Sequence, residues 1–91
     1  MANVTTCIEE GRYFDTRHTT ERQYERQILR SDVLYVLLNG YHEKRKDTFV
    51  EAFRAWNYAI RGKTVDKKDL RVIVSFDSVG MLIVTAIDLD K

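Results

Sequence analysis

The stretch Leu70-Arg71-Val72-Ile73-Val74-Ser75-Phe76-Asp77-Ser78-Val79-Gly80-Met81-Leu82-Ile83-Val84-Thr85-Ala86-Ile87 decides the fold. Leu70, Val72, Val74 and Phe76 alternate with Arg71, Ile73 and Ser75, and Met81, Ile83, Thr85 and Ile87 alternate with Leu82, Val84 and Ala86. A period of two in β-branched residues predicts two strands. Asp77-Ser78-Val79-Gly80 is the short loop that makes them a hairpin. Upstream, Trp56, Tyr58 and Ile60 alternate with Asn57, Ala59 and Arg61, which predicts a third strand, and Gly62 to Asp69 is the basic, polar connection that follows it. Tyr41 to Ala55 reads two ways: Phe49, Phe53 and Trp56 fit a helical stripe, and the same residues fit a strand broken near Val50-Ala52. The strand reading gives an antiparallel meander of about four strands.

Before Gly40 the period is helical. Ser31 is placed to cap a helix from Asp32 to Asn39, with an acid in its first turn. Val33, Val36, Leu37 and Leu38 give that helix a wide apolar face, and Gly40 stands where helices end. Asp15 or Thr16 can cap an earlier helix, in which Tyr24 and Ile28 lie one turn apart on a thin apolar stripe. Tyr13-Phe14 leads into it as a short strand or anchor. Residues 1–12 show no period and are expected to fray or to form an edge segment. The expected architecture is therefore α+β, with two N-terminal helices packed on one face of the meander, as a single domain over residues 13–91.

Ninety-one residues, 44% apolar with one Trp, five Tyr and four Phe, suffice for one modest core. The single Cys7 excludes an internal disulfide and a cysteine-based zinc site. No apolar run approaches a membrane span, and Met1 to Glu10 has neither the basic nor the apolar part of a secretory signal, so a cytoplasmic, membrane-free protein is expected. Net charge is only +1, but residues 41–68 carry eight Lys/Arg against four acids. That is a solvated surface or a local phosphate-binding one, short of the strongly basic balance of a typical nucleic-acid binder.

His18, Arg22 and Arg26 recur every fourth residue, so a helix would stack them on one stripe. One imidazole and two guanidiniums call for an anion: a protein carboxylate, a phosphate or a nucleic-acid backbone. Arg22 and Arg26 can find one in Glu21, Glu25 or Asp15, and His18 can serve as a cap. Two histidines with no carboxylate at ligand spacing make no case for a metal, and no Gly-rich phosphate loop is present, so no cofactor is expected.

The run Thr16-x-His18-x-x-x-Arg22-x-x-x-Arg26-x-Ile28, then the acid-containing helix ending in Asn39-Gly40, resembles the opening of a bacterial domain-of-unknown-function family, number four-two-five-eight among such domains. Trp56-Asn57-Tyr58-Ala59-Ile60-Arg61-Gly62-Lys63-Thr64 resembles its aromatic strand and turn. Leu70-Arg71-Val72-Ile73-Val74 and Leu82-Ile83-Val84-Thr85 resemble its closing hairpin. Together the resemblance covers about residues 13–89. It departs at Thr19 and Gln23, where the family usually has a small and an apolar residue, often Ala and Met. The family is grouped by fold with RelE-type toxins and barnase-like relatives, many of them metal-independent ribonucleases of toxin–antitoxin or phage-conflict systems. The resemblance thus implies a RelE-like fold.

Metal-free RNA cleavage needs a base for the 2′-hydroxyl, cations for the charged phosphorane and an acid for the leaving oxygen. His18 suits the proton-transfer role and Arg22 and Arg26 the phosphate role. Arg61 can add a guanidinium, Tyr58 a hydrogen bond or a stacking surface, and Thr85 a hydroxyl to position phosphate. Two functions follow. One is a ribonuclease or RNA-binding protein, with RNA as partner and an antitoxin as regulator. The other is a non-catalytic module whose cations meet a protein partner. An exposed sheet edge also permits a homodimer.

Overall fold

The computed structural model describes residues 2–15, 28–78 and 80–90. Their order is helix α1 (Ala2–Glu9), strand β1 (Tyr13–Asp15), helix α2 (Arg30–Asn39), strand β2 (Tyr41–His42), a 3-10 turn (Lys44–Lys46), and strands β3 (Thr48–Val50), β4 (Ala55–Lys63), β5 (Asp69–Phe76) and β6 (Met81–Asp88). The fold is α+β, as expected, but the sheet differs from a four-stranded meander in two ways.

First, the described sheet has six strands, because the segment expected to be one strand is two and Tyr13–Asp15 joins the sheet as β1. β2 and β3 both pair antiparallel with β4, with the 3-10 turn between them. Asp47 fastens this interruption: its carboxylate accepts from the Ala59 N–H at 3.0 Å and stands 2.7 Å from His42 Nε2. The break thus falls at residues 44–46, earlier than Val50-Ala52, and 51–54 form the turn into β4. Second, the sheet is mixed. The order is β1-β6-β5-β4-β2, and β1 runs parallel to β6. Gly80 permits this approach, since a Cβ there would lie 2.3 Å from the Arg12 carbonyl, which accepts from Met81 N–H at 2.9 Å.

Residues 2–9, expected to fray or to form an edge, are helix α1 instead, and Val4 and Cys7 are buried in the core. In α2 the buried apolar residues are Val33, Val36 and Leu37, whereas Leu38 is exposed. Its cap is Leu29 and not Ser31: the Asp32 carboxylate, three residues on, accepts from the Leu29 N–H at 3.1 Å. Gly40 ends α2 in extended rather than left-handed backbone, and its need for glycine is contact. A Cβ on Gly40 would lie 2.5 Å from the Arg61 carbonyl, and one on Gly62 would lie 2.9 Å from Gly40 Cα. The two glycines let the end of α2 rest directly on β4.

The helices cover one face of the sheet. Val4, Cys7, Ile28, Val33, Val36 and Leu37 meet Ile60, Leu70, Val72, Val74, Met81, Ile83 and Ala86 there. Residues of β4 and β5 follow the alternation read from the sequence. β6 does not, because the register slips between Ile73 and Val74: Ile83 pairs with Val74, but Thr85 pairs with Ile73, leaving Val84 as an extra residue. Beyond this bulge Ala86 and Asp88 point inward, and Thr85 and Ile87 point to the other face. No described helix is long and apolar enough to cross a membrane.

Candidate functional site

The face away from the helices carries Asn57, Ala59, Arg61 and Lys63 of β4, Asp69, Arg71, Ile73 and Ser75 of β5, and Leu82, Thr85 and Ile87 of β6. It divides into a charged half and an apolar half.

In the charged half, Arg61 and Arg71 are cross-strand partners, a pairing of like charges that needs compensation. Glu43, just beyond β2, supplies it. Its carboxylate is nearly fully buried and accepts from Arg71 Nε at 2.6 Å and from Arg61 Nη1 at 3.3 Å. Asp69 takes the rest of Arg61 in a two-point grip, with Nε at 3.1 Å and Nη2 at 2.7 Å. The Arg71 hydrogen bond, joined by that from Arg61, holds the Glu43 carboxyl below its ordinary range against the opposing effect of burial. Arg61 does the same for Asp69. Asp69 first, and Glu43 second, hold the Arg61 guanidinium more firmly protonated than usual. This half is a charge-compensated lattice that ties β4 and β5 to the residue just beyond β2.

In the apolar half, Val50, Phe53, Ala55, Leu82 and Val84, with Asn57, Ser75, Phe76 and Asp77, line a cavity of about 430 Å³. Phe53, on the turn between β3 and β4, is 81% exposed.

His18, Arg22 and Arg26 lie outside the described residues. Of their expected carboxylate partners, Asp15 accepts from Arg30 at 2.5 Å, and Arg30 also stands over the Tyr13 ring, 5.3 Å from its centre. Thr85 and Arg61 are brought to one face, on adjoining rows across β5; the bulge is what puts Thr85 there. Tyr58 is on the other face, packed against the core and in ring contact with Phe76 and His42 at 5.8 Å each. Arg61, Tyr58 and Thr85 therefore do not form one site. His42 is mostly buried beside Asp47. Glu43 and Asp69 were missed by sequence reasoning. The opposed Arg61 and Arg71 were the available signal, since two guanidiniums across a strand pair imply a nearby acid.

These features define an α+β protein with a helix-backed mixed sheet whose other face is half ion lattice and half apolar cleft. More particularly, the chain belongs to the family described as a domain of unknown function, DUF4258, whose model matches residues 16–88. No curated protein and no solved structure matches the chain at a significant level.

Proposed function

We propose that the protein is a RelE-like, metal-independent ribonuclease or RNA-binding protein of a bacterial toxin–antitoxin or phage-conflict system, acting in the cytoplasm. The observation that carries this reading is the spacing of His18, Arg22 and Arg26 at the head of the family-matched segment. His18 exchanges protons with the 2′-hydroxyl or the leaving oxygen, and Arg22 and Arg26 hold the phosphate. Both described helices precede strands β2 to β6, an order consistent with the RelE-type kinship, which supplies the reaction class by analogy of fold. Arg61, held by Asp69 and Glu43, is better suited to fixing the sheet face than to gripping phosphate directly. Thr85 keeps its positioning role beside it, and Tyr58 loses its own because it faces the core. Incubating purified protein with mixed RNA in the presence of a chelator tests the reading. Cleavage that disappears in His18→Ala supports it, and intact RNA after hours at high protein concentration refutes it.

One observation favours a second reading, a non-catalytic interaction module with the same fold. The apolar cleft beside Phe53 suits an apolar side chain of a protein partner, such as an antitoxin or a second copy of the chain. A complex that survives nuclease treatment and is lost in Phe53→Asp supports that alternative.

A further inference from the structure

The edge of the sheet formed by β3 and β4 carries aromatic rings that the core does not use. Phe49 and Trp56 pair across the two strands with ring centres 5.5 Å apart, edge to face, and are 44% and 47% exposed. Tyr58, two residues on along the same side of β4, belongs instead to the core, in ring contact with Phe76 and His42. The half-exposed Phe49 and Trp56 rings leave a flat apolar face open to a ligand. On one side in sequence, Lys44, Arg45 and Lys46 form the exposed 3-10 turn that precedes β3. Among the described residues Lys44 and Lys46 have no ion-pair partner, and Arg45 reaches Glu43 only at 4.0 Å. On the other side, Arg54 lines a hollow with Phe49 and Glu51, and Glu51 is the acid at this end. This edge lies in the basic third of the chain, and the cations on it outnumber the free acids.

We infer that this edge binds single-stranded polynucleotide, with bases stacked on Trp56 and Phe49 and phosphates held by Lys44, Arg45, Lys46 and Arg54. The inference rests on the RNA reading above and gives it a substrate class. Stacking on a protein ring needs an unstacked base, which a single strand offers and a duplex does not. Cations on the short turn that leads into β3, and on the turn that leaves it, follow the backbone without reading sequence, so binding depends on salt and little on base identity.

Trp56 is the only tryptophan and reports directly on stacking. Its fluorescence is titrated with a short oligouridylate, the matching oligothymidylate, and an RNA duplex of equal length, using the full chain. Quenching by both single strands, with much weaker binding of the duplex, is expected. Binding of a labelled oligouridylate, read by anisotropy, should weaken about tenfold or more in Trp56→Ala. It should be retained in Trp56→Phe. In Lys44→Ala/Lys46→Ala the slope of log affinity against log salt should fall by roughly 1.4. All of these residues are exposed, so the variants should fold, and circular dichroism checks that they do. Absence of quenching, equal affinity for duplex, or unaltered binding by the variants overturns the inference. If Trp56→Ala cleaves RNA like wild type, this surface is wrong and the ribonuclease reading survives. If wild type binds single strands here and never cleaves RNA, the surface stands and the catalytic reading falls.

Discussion

Replacing Glu43 by Gln removes the charge that joins β2 to β4 and β5 while preserving shape. The carboxylate makes one short charged hydrogen bond, 2.6 Å to Arg71, and one longer one, 3.3 Å to Arg61. Arg61 keeps Asp69 in the variant, so the loss falls mainly on Arg71, which among the described residues has no other carboxylate hydrogen-bonded to it. A hydrogen bond to a charged group contributes about 1.5–3 kcal/mol, and the amide oxygen of Gln recovers part of it. We expect Glu43→Gln to lose about 2 kcal/mol, which for a domain of this size lowers Tm by roughly 8–16 °C. The pH dependence has a definite sign. Glu43 and Asp69 have folded-state pKa values below their ordinary 4.5 and 3.8. Their contribution is complete above those ordinary values and is lost as pH falls through the depressed ones. Wild type should therefore lose stability on acidification below about pH 4.5, and Glu43→Gln should lose less over the same window. Thermal melts at pH 7 and along an acid series measure both effects. A Glu43→Gln variant melting within 2 °C of wild type, with the same acid profile, would refute the claim that this lattice ties the sheet together.

Other substitutions test the remaining supports. Gly40→Ala should cost about 1–3 kcal/mol in denaturant unfolding, because its methyl would collide with the Arg61 and Val36 carbonyls. Ile83→Ala, at a fully buried position on the helix side, should cost about 2–5 kcal/mol by the same assay. Asp47→Ala should leave the Ala59 N–H without its side-chain acceptor, and hydrogen exchange should quicken at that amide.

The hairpin of β5 and β6 was legible because its alternation is strict up to Ile83, and the Asp77–Gly80 loop has the closing contacts its residues suggest: Asp77 N–H to the Gly80 carbonyl and Gly80 N–H to the Asp77 carboxylate, each 2.9 Å. The bulge was not legible. Val84 is as apolar as its neighbours, so nothing in the pattern marks it as the extra residue, and Thr85 was assigned to the Ile83 side. Helix α1 did have a signal, since Val4, Cys7 and Ile8 stand at helical spacing, but three residues are a short run from which to read a period. The parallel β1–β6 pairing and the Glu43–Arg71 contact join residues far apart in sequence, and no local propensity records them. Of the six proposed site residues, Arg61 and Thr85 meet on one face and Tyr58 faces the core, while His18, Arg22 and Arg26 lie outside the described residues. Tyr58 illustrates the difficulty: alternation gives the two faces of β4 but does not say which one the helices cover.

Induced expression of wild type and His18→Ala in a bacterial host tests the proposed action of His18, Arg22 and Arg26 on RNA most directly, with growth and RNA integrity scored together. The account predicts growth arrest with degraded RNA for wild type, and neither effect for an equally abundant, folded His18→Ala. Intact RNA and normal growth with both proteins would contradict it.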